Sequence, residues 1–290
     1  MSSLPVLAAG KFVDPKEEWA VLSHIGSGSF GAVYHVKNAI TGKDAAAKLT
    51  HKYDDLRAEL EVYEEIDNKS IYLPKLCAWG NTALPHFLII SLEGKTLDDI
   101  QSTFEDNVMP ARDVMGYAID SLKALQSLHS FHFVHRDLKG DNIALGLSEG
   151  RARIVLLDLG LCKRVYIKDG RRKYPKPDDT RRYLMHFASL RVMNKRSFRE
   201  QDDIFALLYT MLDCRNAVKF EDTFTELMQQ KEKLHNDPES VLSLDNRFYC
   251  PFIRAVASMS YSTLPDYQAL VVAIQAMEPL IEDDENMIWI

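Results

Sequence analysis

The chain has 290 residues, is 46% hydrophobic and 27% charged, and carries a formal net charge of −7. Those proportions suit one large globular domain, or two lobes sharing a cleft, and they exclude a mostly disordered chain. The acidic balance argues against indiscriminate nucleic-acid binding. Four widely spaced cysteines (Cys77, Cys162, Cys214, Cys250) with no CxxC argue against a disulfide scaffold or a zinc site and suit a reducing cytosol.

Residues 1–18 read as an N-terminal extension, with no basic region and too short an apolar stretch for a signal peptide. No run approaches the ~20 apolar residues of a membrane helix; the longest, Ile204–Leu212, reads as a buried helix. Short β-type runs come first: Trp19–Ile25, Ala32–Asn38, Asp44–Leu49 and His86–Leu92, around one helix at about Asp54–Asp67. From Thr96 the pattern turns helical. Ala118, Leu122, Leu125 and Leu128 recur at helical spacing behind Pro110, which is placed for a first turn. Further helices are expected at Gln201–Leu212, Phe220–Leu234, Phe248–Met259 and Tyr267–Met277. This is an α+β chain of two lobes, a β-rich one over about 19–93 and a mostly helical one over about 94–277, with an acidic solvated tail at 278–290. Sites often form in such inter-lobe clefts.

Gly26-Ser27-Gly28-Ser29-Phe30-Gly31 lies between two predicted strands. Without Cβ atoms its backbone can curl over a polyphosphate and point N–H groups at it. A dinucleotide fold would put a helix after the last glycine. Here AVYHVKN follows and reads as a strand, which favours a nucleoside triphosphate under a β-hairpin over a plain turn.

Lys48 ends the apolar run Ala45–Ala47 on the next strand, from which it can reach α- and β-phosphates if a carboxylate holds it. Glu59 shares a helix face with Tyr63 and Ile66, whereas Glu61 is rotated by ~200°, so Glu59 is the expected partner. The segment Val134-His135-Arg136-Asp137-Leu138-Lys139-Gly140-Asp141-Asn142 is the most specific in the chain, and Asp158 follows it in Asp158-Leu159-Gly160 after the apolar run 153–157. Phosphoryl transfer needs positioning and charge neutralisation. Asp137 would orient an attacking hydroxyl and take its proton. Asp158 and Asn142 would hold Mg2+, a hard ion that prefers oxygen. Lys139 would offset charge on the phosphoryl group.

With these motifs in this order the chain resembles a eukaryotic protein kinase from about Trp19 to Met277, and within it the casein kinase 1 superfamily, tau-tubulin kinase-like branch. The closer resemblance rests on Leu92–Ile100, which is similar to that group's hinge, on His186-Phe187-Ala188-Ser189-Leu190 in place of its RYASI-like segment, on Gln201-Asp202-Asp203-Ile204, and on Leu264-Pro265-Asp266-Tyr267. The resemblance implies a bilobal kinase fold with ATP and Mg2+ between the lobes. It places Ile25, Val33 and Ala46 on the adenine and Ala144 beneath it. Ile90 becomes the gatekeeper, and the Glu93 backbone bonds the base. Gly26, Gly28, Ser29, Phe30 and Gly31 lie over the phosphates, beside Lys48. Lys139 in HRDLK is the Ser/Thr form of that loop.

The sequence departs from the family at four places. Leu159 replaces the Phe of Asp-Phe-Gly and, being apolar, fills the same internal position. Gly140 stands where the family usually has Pro or Ala, which loosens the loop. Lys48 and Glu59 are eleven residues apart, a few fewer than usual. Tyr183-Leu184 replaces a Gly-Thr pair whose hydroxyl braces the catalytic Asp and Lys.

Between Lys163 and Arg199 thirteen Lys/Arg face three acids, so this segment alone is +10. Such a block repels itself unless an anion is bound. In the resembled family the neighbouring surface takes acidic or phosphorylated substrates, so Arg171, Arg172, Lys173, Arg181 and Arg182 are the expected anion contacts. Without interleaved aromatics, nucleic acid is the weaker partner. Arg136 is placed to bind a phosphorylated residue such as Thr180, although the superfamily often needs no such switch. The expected activity is transfer of the ATP γ-phosphate to a protein serine or threonine, without a membrane, in the cytoplasm or alternatively the nucleus. The alternative is a nucleotide-binding pseudokinase that scaffolds partners.

Overall fold

Strict alternation of side chains builds the smaller lobe. In β2 (Gly31–Asn38), Ala32, Tyr34 and Val36 are buried while Gly31, Val33 and His35 face the other way. Its neighbour β3 (Asp44–Thr50) buries Ala45, Ala47 and Leu49 on that same face. With β1 (Trp19–Gly28), β4 (Leu76–Gly80) and β5 (His86–Ser91) they form one antiparallel sheet in the order β1-β2-β3-β5-β4. Lys48 pairs with Val33 and Leu88, and Ala46 with His35 and Ile90. A slip of one residue would send Lys48 into the apolar side. The computed structural model describes residues 7–28, 31–81, 85–146, 153–177 and 185–281. Ser29, Phe30, Thr180 to Leu184 and the tail from 282 lie outside the described residues.

In this sheet the strands match their expected positions, and β4 is the member the sequence reading missed; the short strands of the larger lobe other than Ile154–Leu156 were not read either. The extension is not separate from the lobe. Gly10 N–H donates to Val21 O at 2.8 Å and Val21 N–H to Lys11 O at 2.7 Å. The Asp14 carboxylate accepts Trp19 N–H at 2.8 Å, and Val13 joins the sheet's core. Between β2 and β1 the chain turns at Gly31, whose φ is +135° and where a Cβ would stand 1.9 Å from the Leu49 carbonyl oxygen, so no side chain fits.

The larger lobe is organised by α3 (Ala111–Ser130) and α5 (Glu200–Asp213). Ala118, Leu122, Leu125 and Leu128 of α3 form one buried stripe. In α5 every residue from Glu200 to Leu212 is buried, the pattern of a helix enclosed on all sides. Its carboxylates Glu200, Asp202 and Asp203 sit in the first turn, where the helix dipole favours negative charge. Around them pack α6 (Phe224–Asn236), α7 (Cys250–Ala257) and α8 (Tyr267–Gln275). Pro110 is the residue before α3. The expected helix from Phe220 starts only at Phe224 because Thr223 caps it. The one expected from Phe248 is split into a 3-10 turn at Leu244–Tyr249 and α7. Among the described residues no helix is long and apolar enough to cross a membrane, and all four cysteines are free.

Candidate active site

Three elements deliver one ion triad. The alternation in β3 turns Lys48 toward the cleft. The helix α1 (Tyr53–Ile66) begins three residues after β3, and this immediacy makes up for the short spacing, because less than two turns of helix bring Glu59 alongside. Lys48 Nζ lies 2.7 Å from Glu59 Oε2 and 2.8 Å from Asp158 Oδ1. Glu59 is only 2% exposed, whereas Glu61 faces solvent. Burial alone would depress the Lys48 pKa, but attraction from Glu59 and Asp158 outweighs it and holds the ammonium above its ordinary value. Burial likewise works against the Asp158 carboxylate, and Lys48 overrides it to keep that pKa below the usual range. For Glu59 burial prevails and pushes the carboxyl up against the pull of Lys48.

Asp158 adopts φ 51°, ψ 73°, and Arg136 also has positive φ, at 74°. Two left-handed non-glycine residues thus stand at Asp158 and directly before Asp137, a strain that surrounding contacts must hold. Behind Asp158, Leu159 is fully buried in the core between α1 and the larger lobe, the internal position expected for it.

The segment Val134–Asn142 hangs on α5. Asp203 is fully buried; its Oδ2 accepts His135 N–H at 2.8 Å and its Oδ1 accepts Arg136 N–H at 2.9 Å. His135 Nε2 donates to Leu157 O at 3.0 Å, and its Nδ1 accepts Asp137 N–H at 3.3 Å. One imidazole thus couples the strand carrying Asp158 to the residue Asp137. Asn142 Nδ2 donates to Asp137 O at 2.7 Å and to Asp137 Oδ2 at 3.0 Å. That use of the amide nitrogen leaves the Asn142 oxygen as the acceptor, as a hard cation requires. Burial pushes the Asp137 carboxyl up, against the pull of Lys139 and His135, a direction that suits a proton acceptor.

A cleft of about 490 Å3 lies beside the triad. Ile25, Gly26, Gly31, Val33, Ala46 and Ile90 line its upper wall, and Glu93 and Gly94 its rear. Asn142, Leu157 and Asp158 form the floor. Ala144 is not on the lining: it is fully buried in the pair of β7 (Ile143–Leu145) with β8 (Ile154–Leu156), and Leu157 is the apolar floor residue instead. Asp137 opens on a smaller adjoining hollow with Phe187, Ala188 and Phe198. Lys139 Nζ lies 3.4 Å from Asp141 Oδ2. Arg136 is buried and donates to Leu161 O at 3.3 Å.

Gly140 is not a loose point. It is buried, and a Cβ there would fall 1.7 Å from Asp98 Oδ1. Asp98 belongs to the short helix α2 (Leu97–Gln101) after the hinge, so the missing side chain admits a carboxyl from that helix. Burial, then a hydrogen bond and repulsion from Asp141, push Asp98 up to about 7, with Asp213 adding and Lys139 opposing. A carboxyl raised in the folded state stabilises fully below its unfolded value near ~4. That stabilisation is lost as pH rises through about 7. Urea midpoints from pH 5 to 8 should therefore fall more steeply with pH in wild type than in Asp98→Asn; parallel curves would contradict a raised Asp98 carboxyl.

The basic segment is only partly available to ligands. β9 (Lys163–Arg164) pairs with β6 (Phe133–Val134), and in the following hairpin of β10 (Tyr166–Lys168) and β11 (Arg171–Lys173), Arg171 and Lys173 are exposed. Arg172 is not: its Nη1 lies 2.5 Å from Oε1 of Glu200, which is 1% exposed and also accepts Tyr174 OH at 2.9 Å. A buried carboxylate needs a cation, and Arg172 supplies it. Arg181 and Arg182 fall outside the described residues. Sequence reading gave no role to Asp203, although the Gln-Asp-Asp-Ile run containing it stood out. It also passed over Asp98 and the buried Lys231, the latter because a lysine at an apolar helix position looks like an ordinary surface residue.

The comparisons agree with this geometry. A family model described as the protein kinase domain matches residues 19–251. A probable serine/threonine-protein kinase of Dictyostelium discoideum is 24% identical over 270 residues, which cover 90% of this chain and 53% of that protein. The chain thus spans about half the length of that curated relative. The structure of vaccinia related kinase 3 matches with a TM-score of 0.79 at 18% identity, covering 98% of this chain and 97% of that one, a likeness of fold.

Proposed function

The chain belongs to the protein kinase domain family, and we propose that within it this protein is an active Mg-ATP-dependent serine/threonine kinase of the casein kinase 1 superfamily, tau-tubulin kinase-like branch. The observation that carries the reading is the Lys48 ammonium held at 2.7 Å by Glu59 and 2.8 Å by Asp158, at the floor of the cleft. Lys48 grips the α- and β-phosphates. Asn142 and Asp158 offer two oxygen donors, the number Mg2+ takes from protein when phosphates complete its shell. Bound there, the ion would neutralise charge on the phosphates. Ile25, Val33, Ala46, Ile90 and Leu157 enclose the base.

Asp137 orients the acceptor hydroxyl. The hydroxyl oxygen bonds to the γ-phosphorus as the bond to the β-phosphate oxygen breaks, and the proton passes to the Asp137 carboxylate. Lys139 offsets charge on the phosphoryl group. The HRDLK form of the loop and the relative's name support a serine or threonine acceptor. The subgroup reading is supported by the segment after Met185: Ser189 Oγ donates to Asp202 Oδ1 at 2.5 Å, which joins two of the stretches that carry the resemblance. Free cysteines fit the cytoplasm or nucleus as its site of action.

Exposed Arg171 and Lys173 support an acidic or already phosphorylated acceptor. The test is a matched peptide set, acidic, phosphorylated and neutral around one serine, given to wild type and to Arg171→Ala/Lys173→Ala. Wild type should favour the charged peptides about threefold or more, as two partly screened ion pairs allow, and the double variant should lose that preference with its ATP KM unchanged. Equal turnover of all peptides by wild type would remove the acidic-substrate reading. The scaffold alternative is favoured by Leu184, which has no hydroxyl to brace Asp137; it predicts nucleotide binding without transfer.

A further inference from the structure

We infer that Lys231 is a positioning residue for the acceptor substrate, holding the segment Met185–Ala188 from beneath at a fixed height against Asp137. The inference rests on the kinase reading above. Helix α6 buries Leu227, Lys231 and Leu234, one face at helical spacing, so the sequence puts a lysine where the fold wants an apolar residue. Lys231 is 0% exposed. Its ammonium donates to Met185 O at 2.9 Å, His186 O at 2.7 Å and Ala188 O at 2.6 Å. Three N–H donors meet three carbonyls, which is the full capacity of the group.

The remaining contacts are aromatic. The nitrogen stands 4.0 Å from the Tyr209 ring centroid and 5.3 Å from that of Phe220, and ring faces attract a desolvated cation. Burial pulls the Lys231 pKa down to about 6, while three carbonyl acceptors and two ring faces favour the charged form, and only an ammonium has the three N–H donors this geometry uses. His235, the neighbouring titratable group, is itself pushed down to about 4 by burial and by Lys231, and its Nε2 pairs with Tyr209 OH at 2.9 Å.

The anchored segment faces the chemistry. Phe187 and Ala188 line the same small hollow as Asp137. Directly after them Ser189 is tied to Asp202, and Asp203 beside it carries the backbone of His135 and Arg136 just before Asp137. The catalytic loop and one end of the segment are therefore referenced to adjacent carboxylates of α5. Lys231 fixes the other end. Leu184, the preceding residue in the sequence, has no hydrogen-bonding side chain, and the three bonds from Lys231 hold the segment from below. A displacement of ~1 Å between acceptor and base can cost ~100-fold in rate, and a helix-borne ammonium is a stiff means of preventing it.

The experiment uses the full chain with Lys231→Met and Lys231→Arg. In Lys231→Met, kcat/KM for the acceptor peptide should fall at least about tenfold, while the ATP KM and the Mg-ATP melting shift stay at wild-type values. Hydrogen exchange should quicken at the amides of 185–189 and not in α5, and Lys231→Arg should recover part of both. A folded Lys231→Met with wild-type peptide kinetics and wild-type exchange at 185–189 overturns the inference. If Lys231→Met fails to give the melting shift, Lys231→Gln is judged by the same two readouts. A wild type that transfers no phosphate beyond Asp137→Asn would instead overturn the kinase reading, and exchange still decides whether Lys231 anchors the segment.

Discussion

Lys48→Met is expected to abolish phosphate transfer and to destabilise the fold at the same time. The ammonium balances both carboxylates of the triad, and Glu59 at 2% exposure is largely shielded from solvent that could replace it. Removing one partner of a buried ion pair costs about 3–5 kcal/mol, because the other charge is left behind. In the variant one carboxyl must take a proton. Its folded-state pKa then rises above the unfolded value, so stability is present at low pH and lost as pH rises. Thermal melts of Lys48→Met should therefore approach wild type near pH 5 and fall away toward pH 8, and the Mg-ATP melting shift should vanish. Glu59→Gln should be milder, since Lys48 keeps Asp158 at 2.8 Å. A Lys48→Met protein with the wild-type melting profile and a retained ATP shift would contradict the triad.

Asp137→Asn separates chemistry from binding. Asp137 lies off the lining of the cleft of about 490 Å3, in the smaller hollow, and reaches the cleft through Asn142 at 2.7 and 3.0 Å. An asparagine keeps the shape and the carbonyl acceptor and loses the proton acceptor. General-base catalysis is worth about 10²–10⁴-fold, so transfer should fall by that factor with ATP affinity and melting shift unchanged. An Asp137→Asn enzyme within tenfold of wild type would assign the base elsewhere. Each outcome is read from initial rates at saturating Mg-ATP.

Much of this geometry was legible because it is local and periodic. The resemblance named Val33, Ala46 and Lys48, and the alternation along β2 and β3 puts them on one face of the sheet. Helical phase chose Glu59 over Glu61, and the short gap from Lys48 proved harmless because α1 starts at Tyr53, three residues after β3. What could not be read was long-range. The weak strand β4 forms because β5 offers it an edge. The missing side chain at Gly140 looked like slack until Asp98, 42 positions earlier, filled it. Arg172 looked like a ligand contact until Glu200, buried on α5, claimed it. Lys231 and Asp203 act through backbone carbonyls and amides, which no side-chain motif announces.

The most direct measurement is γ-phosphate incorporation by the wild-type chain into an acidic acceptor such as casein, with Mg2+ and with the ion chelated, beside the ATP melting shift of the same sample. A shift accompanied by Mg2+-dependent incorporation well above the Asp137→Asn background is the expected result. A shift with incorporation no greater than that background would contradict phosphotransfer and leave a nucleotide-binding scaffold.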